Sequence, residues 1–565
     1  MYECPNCGGN LRYDIPSQKM ACASCNSLFD PYGVSDRNGV EEQENEYEVT
    51  VFTCPQCGGE IYSTDTTAAG FCTFCGSSAI LESRLEREHR PRYIIPFQKT
   101  KEQCRESYMK LMRKAIFAPR ELKSEKHINE FRGIYMPYWI YNVEQGGAGV
   151  ELKGSTKKRR GDYIITSHYN LDLDLQADYD GIAYDASSSF SDAVSGALAP
   201  FDTKQMKEFT PSYLSGFYAD TSDVDTSLYL QEAEDFALGE TEKFIENYPN
   251  LRKYSIEERG EMLKWKLHSK VGNVDGAMFP VWFMAYKNKE RVAYATVNGQ
   301  TGKVVADLPV DIPKYLGVSA VLTIPLFFLL NRFLTIVPGI LLGIVAMIAA
   351  IVSALYFTQI DDIAAREKKE DDRGAIAVKL RKQRESHRKA LGGEDIPPRS
   401  DAQLAASAES EKNNDGAKAV ITVGDSVQEL TDPRGALRIV QTVFVIIMMG
   451  VGLGFGSFFS QYFTRITVGT AAVITGLFWV RAWFRMDDIE ARKGRGMGLS
   501  ALLLPMILSV AVALINPVSD IYYYSCTGLL LITMIVTLVD LIRCYNLFAT
   551  RPLPQFHYKG GDDRA

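Results

Sequence analysis

The sequence predicts a multi-domain membrane protein: two small cysteine-rich modules, an α+β domain, and six transmembrane α-helices in three hairpins. Three observations carry this prediction. A cysteine pattern is repeated near the N-terminus, strand-like alternation continues to about residue 313, and long apolar runs follow. With 565 residues the chain has room for several domains.

The first 75 residues contain two sets of paired C-x-x-C motifs, with fourteen residues between the pairs of each set. The sets are Cys4, Cys7, Cys22 and Cys25, then Cys54, Cys57, Cys72 and Cys75. Four thiolates at this spacing suit one tetrahedral ion, most commonly Zn²⁺. The sequence therefore predicts tandem zinc ribbons that bind two Zn²⁺ ions, one per Cys4 site. Disulfides, a redox C-x-x-C and iron in a rubredoxin-like site are the alternatives.

The residue after each second cysteine suits a tight turn around the metal. Three of these residues are glycines and the fourth is an asparagine, which tolerates left-handed backbone: Gly8, Gly58, Gly76 and Asn26. A structural Zn²⁺ site contributes folding energy on the order of 10 kcal/mol. Modules of this size cannot obtain that stabilisation from a hydrophobic core alone.

The charge of the cysteine-rich head argues against nucleic acid as a partner. Residues 1–80 contain three basic side chains and eleven acidic ones, a net charge of −8. Each Zn(Cys)4 centre would add about −2. Because nucleic-acid phosphates are held by Lys and Arg, this head would repel DNA.

The second half of the chain contains six apolar stretches long enough to cross a bilayer. They are approximately 315–337, 338–357, 439–463, 466–484, 499–515 and 521–542. The short turns between them contain only two basic residues, Arg332 and Arg465. The opposite side of the membrane would hold the basic segment 366–389 and most other basic residues of this half. The positive-inside rule then places both termini in the cytoplasm of a multi-pass protein of the cell (inner) membrane. Cysteines reserved for metal agree with a reducing compartment.

These patterns divide the chain into nine segments. They are zinc ribbon 1 (1–35), an acidic linker (36–50), zinc ribbon 2 (51–85), the cytoplasmic α+β domain (90–313), transmembrane hairpin 1 (314–357), a charged helix and flexible linker (358–438), hairpin 2 (439–485), hairpin 3 (499–542) and a cytoplasmic tail (543–565).

The α+β domain shows both helical and strand patterns. Residues 99–117 have helical periodicity that Pro119 should end, and "NLDLDLQAD" alternates as a half-buried strand. Asn298–Gly299 predicts a hairpin turn. The segments "GIYMPYWIY" (133–141) and "AMFPVWFMAY" (277–286) share P-x-W and predict a duplicated core strand.

Two features of this domain leave alternatives open. "KKRR" (157–160) predicts a solvated hairpin tip, although contact with anionic lipid or an acidic partner is the alternative. Asp172 and Asp174 predict a solvated strand face rather than a metal site. The sequence contains no P-loop, G-x-S-x-G, kinase or H-E-x-x-H motif, so we expect no enzymatic activity.

The combination of motifs resembles bacterial TFIIB-type zinc-ribbon membrane proteins. It comprises the double C-P-x-C-G-G head, "IIPF" (94–97), "FAPREL" (117–122), "GIYMPYW" (133–139), "VDGAMFPVWFMAY" (274–286) and "NGQTGKVV" (298–305). The resemblance covers residues 1 to about 360, and the last 125 residues look like a second membrane module fused at the C-terminus. Relatives are often labelled replication-restart helicases, but this chain has no helicase nucleotide motif.

The resemblance implies a membrane anchor in an envelope-stress module. Its implied partners are a flotillin-like (SPFH) protein or one like phage-shock protein A, and only the eight ribbon cysteines carry over as functional positions. We therefore predict a non-enzymatic membrane adaptor or scaffold that recruits a peripheral protein, with oligomers possible. A head-regulated transporter or channel is the first alternative, and a DNA-associated zinc-ribbon factor is the second.

Overall fold

The computed structural model describes residues 2–35, 46–54, 60–63, 82–124, 131–189, 191–258, 260–288, 291–333, 336–367, 373–374, 376–377, 457–486, 489 and 498–552. The head is rich in strands, and the second half of the described chain is helical.

The strands are β1 (Leu11–Asp14), β2 (Lys19–Cys22), β3 (Leu28–Phe29), β4 (Glu46–Thr53), β5 (Glu60–Ser63), β6 (Glu82–His89), β7 (Tyr93–Ile94), β8 (Arg132–Arg160), β9 (Tyr163–Asp185), β10 (Lys207–Glu208), β11 (Tyr218–Ala219), β12 (Ser255–Ile256), β13 (Lys270–Asn288), β14 (Arg291–Asn298), β15 (Val304–Ala306) and β16 (Arg551–Pro552).

The α-helices are α1 (Pro31–Ser35), α2 (Lys101–Lys114), α3 (Asp192–Leu198), α4 (Leu230–Asn247), α5 (Glu261–Lys266), α6 (Ile312–Phe333), α7 (Pro338–Glu367), α8 (Ser457–Met486), α9 (Leu503–Ile515) and α10 (Asp520–Phe548). Short 3₁₀ helices include Pro211–Leu214 and Gly498–Leu502.

Two sheets build the head. The small sheet has the order β1-β2-β3 and is antiparallel. The large sheet has the main path β10-β7-β13-β8-β11-β5-β4-β6, with β9 and β12 paired to β8 and with β14 paired to β13, β15 and β16. Its centre is the antiparallel pair β8–β13, and the outer half of β8 forms a long two-stranded ribbon with β9.

The duplicated P-x-W segments are adjacent strands related by a local two-fold. In the register of β8 and β13, Trp139 lies opposite Gly276, and Trp282 lies opposite Gly133. Each indole N–H donates to a loop carbonyl, Trp139 to that of Val224 and Trp282 to that of Lys99, both at 2.9 Å. Each tryptophan thus stands across from a glycine of the other strand. The prediction of a duplicated core strand is confirmed.

Aromatic rings fill the main core. Phe97 stacks on Phe217 at 4.4 Å between ring centroids and meets Tyr135 and Trp282 edge-on at 4.9 and 5.2 Å. Helix α2 contributes its buried side chains Cys104, Tyr108 and Met112. A capping box formed by Thr100 and Gln103 begins this helix, because each side chain bonds the other's backbone N–H.

Other local predictions for the head agree with the structure, with small differences. Leu171, Leu173 and Leu175 are half-buried on β9 while Asp172 and Asp174 are exposed, as predicted. The hairpin at Asn298 forms, with a longer turn because Val297 pairs with Val304. Helix α2 ends at Lys114, before Pro119 is reached.

Five described helices are long and apolar enough to cross a membrane, which indicates a membrane-embedded protein. The candidate spans are Ile312–Leu329, Pro338–Ala365, Tyr462–Met486, Gly498–Ile515 and Asp520–Leu547. Four of them form a bundle around α7. Contacts between Gly339 and Thr464 at one end, and between Asp361 and Arg485 at the other, show that α7 and α8 run parallel.

The prediction of a turn within the second hairpin (439–485) is wrong. We expected a break at Arg465, but Ser457–Met486 is one continuous helix. No Gly or Pro lies between Ser457 and Val468, on either side of Arg465, and Arg is a good helix former. The charge is satisfied by a helix end, because the Arg465 guanidinium donates to the carbonyls of Ala513 and Leu514 at 3.1 and 3.4 Å. Residues 439–456, with most of the predicted third span, lie outside the described residues.

One segment boundary also differs from the prediction, and another segment agrees with it. Residues 46–50, predicted as the end of the acidic linker, belong to β4, which pairs with β6 over its whole length. Residues 358–367, predicted as a charged helical continuation, do continue helix α7. The rest of the predicted flexible linker lies largely outside the described residues.

The last helix is joined to the large sheet. The Asn546 side chain bonds both backbone groups of Val310, accepting at 2.6 Å and donating at 2.8 Å. Beyond it, β16 pairs with the start of β14. Helix α6 contacts the head through Lys314, which donates to the Ala118 carbonyl at 2.8 Å. The head is therefore held to the bundle by bonds as well as by chain continuity.

Candidate metal centre

Two turns of the small sheet bring the first four predicted ligands together. Before β1, the Gly8 N–H donates to the Cys4 carbonyl at 2.8 Å, and Gly8 has a φ of +72°. After β2, the Asn26 N–H donates to the Cys22 carbonyl at 2.9 Å, and Asn26 has a φ of +58°. Both residues adopt the left-handed backbone predicted for the turns after the second cysteines.

The four sulfur atoms form one compact cluster. The Sγ atoms of Cys4, Cys7, Cys22 and Cys25 all lie within 4.8 Å of one another. The Cys4–Cys25 and Cys7–Cys22 Sγ distances are both 3.5 Å. A tetrahedron with Zn–S bonds of about 2.3 Å has S–S edges of about 3.8 Å. The donor set and its spacing therefore fit a tetrahedral Zn²⁺, with Cys4 and Cys22 buried and Cys7 and Cys25 exposed.

Hydrogen bonds prepare part of this cluster to bind metal. The hydroxyl and backbone N–H of Ser27 lower the pKa of Cys25 to about 6. The Gly9 N–H lowers the pKa of Cys7, but hydrogen bonds with Cys25 and Cys22 raise it to about 12 overall. A thiolate is the form that binds metal, so binding would release the protons that the sulfurs share.

This ribbon packs firmly against the sheet domain. The Tyr13 N–H donates to the Ser215 carbonyl at 3.1 Å, and the Ser215 hydroxyl donates to the Leu11 carbonyl at 2.8 Å. The Tyr13 ring meets the Tyr213 ring edge-on at 5.1 Å. Buried ribbon residues, including Tyr2, Leu11 and Met20, belong to the same hydrophobic cluster as Phe97 and Trp282. The four-cysteine ribbon thus forms part of the main core.

The second predicted site is only partly described. Cys54 is buried directly after β4, beside Val51 and Phe52, each of which is 1% exposed. Cys57, Cys72 and Cys75 lie outside the described residues. Strands β4 and β5 extend the large sheet through the pairing of Tyr62 with Ala219. Cys54 therefore follows a strand of the main sheet.

A buried carboxylate cluster was missed in the sequence. Asp220 is 3% exposed, and its Oδ2 accepts from the hydroxyls of Ser187, at 2.6 Å, and Ser189. Burial raises the pKa of Asp220 to about 7, while those hydrogen bonds act to lower it. Ser188 donates similarly to Asp223, at 2.5 Å from its hydroxyl. The run "DASSSFSD" (185–192) was the available sequence signal, and the cluster locks that loop to the segment after β11.

Helices α4 and α5 carry exposed apolar side chains on the head. The Gly260 N–H donates to the Glu242 carboxylate at 3.1 Å, and Lys264 pairs with Glu234 at 2.5 Å, so the helices lie side by side. The exposed fractions are 51% for Phe236, 59% for Phe244, 60% for Met262 and 75% for Trp265. We use the term apolar surface of the head for this set of four side chains, two on each helix. Its residues are candidates for contact with another protein.

Comparison with known proteins gives one distant relationship. The chain is similar to the uncharacterized protein YdjG of Bacillus subtilis (strain 168), with 26% identity over 317 residues. The match covers 55% of this chain and 90% of that protein. No protein-family model matches the chain, and no solved structure matches it.

Proposed function

We propose that the chain is a non-enzymatic membrane adaptor whose zinc-stabilised head recruits a peripheral protein. The observation that carries this proposal is the construction of the head. A four-cysteine ribbon packs into the main core, and the sheet is bonded to the last membrane helix. Such a head can hold a docking surface at a fixed position relative to the bilayer. In this proposal the head and both termini are cytoplasmic, in agreement with the basic residues flanking the spans.

The apolar surface of the head is the proposed recruiting site. Trp and Phe are enriched in protein interfaces, and here they stand beside the acidic side chains of α4. From the family resemblance, the partner class is a flotillin-like (SPFH) protein or one like phage-shock protein A. The proposed ligands of two Zn²⁺ ions are the eight ribbon cysteines.

A transporter or channel is less well supported by the bundle. Asp540 is 7% exposed, but its Oδ2 accepts from the Tyr356 hydroxyl at 2.6 Å and from the Gly498 N–H at 2.9 Å. This carboxylate therefore holds the start of the Gly498–Leu502 turn against α7 and α10. Those contacts favour a structural role for Asp540 over a role in ion passage.

The proposal is tested by purifying the tagged full-length protein from native membranes in mild detergent and identifying co-purified proteins by mass spectrometry. The variants are F244S/W265S on the apolar surface, C7S/C25S in the ribbon, and the control I116S. Ile116 is also exposed, at 58%, but lies outside that surface. We expect an SPFH-like or phage-shock-like protein with wild type and I116S, and its loss with F244S/W265S.

Loss of the same protein with C7S/C25S would show that the ribbon must be intact for recruitment. If the wild-type protein co-purifies with neither protein class, the adaptor proposal is contradicted. Equal recovery with F244S/W265S would exclude the apolar surface as the recruiting site.

A further inference from the structure

Every residue from 157 to 166, at the tip of the long β8–β9 ribbon, is exposed. We define the basic tip as Lys157–Ile165, which contains the KKRR segment and the start of β9. Its apolar side chains are in solvent: Tyr163 is 78% exposed, Ile164 is 69% and Ile165 is 48%. KKRR is confirmed as a hairpin tip, and three exposed apolar residues lie beside it across the turn.

The register places a basic residue directly across from each apolar one. Arg160 pairs with Tyr163, Arg159 with Ile164, and Lys158 with Ile165. Because successive residues of a strand point to opposite faces, the middle pair lies on one face and the outer two lie on the other. Both faces of the basic tip therefore present the same combination of cationic and apolar side chains.

The basic tip ends the β8–β9 ribbon, whose pairing is uninterrupted from Val150–Leu173 to Arg160–Tyr163. Its turn is Gly161–Asp162, and Gly161 has a φ of +65°, which suits the first position of a two-residue hairpin loop. Further back, the pairing of Ser155 with Ser255 supports β8. Within the described part of the chain, none of the four basic side chains forms an ion pair, and Arg159 donates only to the Gly161 carbonyl, at 3.2 Å.

We propose that the basic tip docks on the anionic surface of a lipid bilayer. Tyr and Ile side chains gain by entering the boundary between headgroups and acyl chains, while long Lys and Arg side chains reach lipid phosphates from the same depth. The membrane helices keep the head close to such a surface, which raises the effective concentration of lipid at the tip. This proposal does not depend on the adaptor's protein partner.

The two-faced pattern favours lipid over an acidic protein. A folded protein partner covers one face of a hairpin, so its binding residues collect on that face. A wedge that enters the headgroup layer is surrounded on both faces by the same anionic and apolar medium. The basic tip has this second arrangement, and Asp162 is its only acidic residue.

The test uses the full-length protein with Tyr163→Trp in nanodiscs, and wild type supplies the background from the native tryptophans. The fluorescence emission of the wild type is subtracted from that of Tyr163→Trp. This difference spectrum is recorded in discs of phosphatidylcholine alone and of phosphatidylcholine with phosphatidylglycerol. It is also recorded with separate phosphatidylglycerol-containing vesicles, in case the tip reaches a second bilayer. We expect a blue shift only where phosphatidylglycerol is present, and its reversal by high salt.

The key variant adds K157Q/K158Q/R159Q/R160Q to Tyr163→Trp. A control adds K110Q/R113Q/K114Q/K243Q, which removes the same charge from exposed sites elsewhere. Four basic residues near an anionic surface supply about a thousandfold in partitioning. We therefore expect the tip variant to lose the shift and the control to keep it. The proposal is overturned if phosphatidylglycerol causes no shift in discs or with vesicles, or if the tip variant shifts as the control does.

Discussion

In both the sheet domain and the helical bundle, glycines allow neighbouring elements to approach closely. The side chains that occupy the space beside these glycines differ between the two regions. In the sheet, a Cβ on Gly133 would lie 2.5 Å from the ring of Phe217. In the bundle, a Cβ on Gly343 would lie 2.4 Å from the hydroxyl of Thr467. In water, burial of a large ring is favourable because it removes apolar surface from solvent. In lipid an apolar ring gains little by leaving the acyl chains, so close approach of small residues holds helices together.

Two neighbouring helices show the same rule. Helices α6 and α7 are both apolar enough to span a membrane. No residue of the candidate span in α6 is buried, whereas about half of the candidate span in α7 is buried. Helix α7 presents the small residues Gly339 and Gly343 to α8. Helix α6 instead carries large side chains such as Phe327 and Phe328. Hydrophobicity therefore selects the spans, and side-chain size selects which of them pack.

The four-cysteine cluster should give the largest effect, because its ribbon packs into the core of the sheet domain and contributes no residue to the described core of the bundle. Cys4→Ser should remove one equivalent of bound zinc and a stabilisation on the order of 10 kcal/mol from the ribbon. Metal analysis and limited proteolysis of the head measure this loss. The control is Cys104→Ser, a buried cysteine outside the cluster. Unchanged zinc content in Cys4→Ser would contradict the assignment.

A smaller effect is expected at Asp220, the buried carboxylate of the head. Its pKa is about 7 when folded and about 3.9 when unfolded. The folded state therefore binds more protons between these values, and stability falls as pH rises through this window. The penalty is absent below it and complete above it, up to about 4 kcal/mol. Asp220→Asn should flatten the change in unfolding free energy between pH 5 and pH 8.

Asp172→Asn, on the exposed face of β9, is the control for that measurement and should keep the pH dependence of wild type. A pH dependence of wild-type size in Asp220→Asn would show that another group causes it.

In the bundle, Gly343→Leu should separate α7 from α8, at a cost of about 1–3 kcal/mol from overpacking. Thermal unfolding in detergent measures the change. Gly469→Leu is the matched control, because a Cβ on Gly469 has no neighbour within 4 Å. The pair Gly343→Ala and Thr467→Ala sharpens the test. The double variant should be more stable than the sum of the single changes predicts, since the alanine methyl would occupy the space left by the hydroxyl.

The smallest effect is expected in α6. Phe328 is 67% exposed, so Phe328→Ala should change the thermal stability of the bundle by no more than about 0.5 kcal/mol. A loss as large as that of Gly343→Leu would show that α6 is held by protein contacts, for example with a second copy, and would break the contrast between α6 and α7.

Local patterns in the sequence determined a large part of this molecule. The cysteine spacing predicted the first four-sulfur cluster and its left-handed residues Gly8 and Asn26, because the ligand geometry of one ion is encoded within 25 residues. Alternation predicted the half-buried face of β9, and apolar length predicted the described membrane helices. The turn at Arg465 was predicted wrongly because an arginine within an apolar stretch is typical of a turn between spans. Its hydrogen bonds to carbonyls of α9, which allow it to lie within a helix, are not visible in the sequence.

Only the tertiary structure decided what packs against what. The docking of the first ribbon on Tyr213 and Ser215, the burial of Asp220 among serines, and the opposition of each tryptophan to the other strand's glycine all join residues far apart in sequence. Such contacts depend on how the elements are placed relative to one another, and the periodicity of a local stretch of sequence does not indicate this placement. The basic tip shows the same limit: its charges were evident in the sequence, but the pairing of each with an exposed apolar residue required the register of β8 and β9.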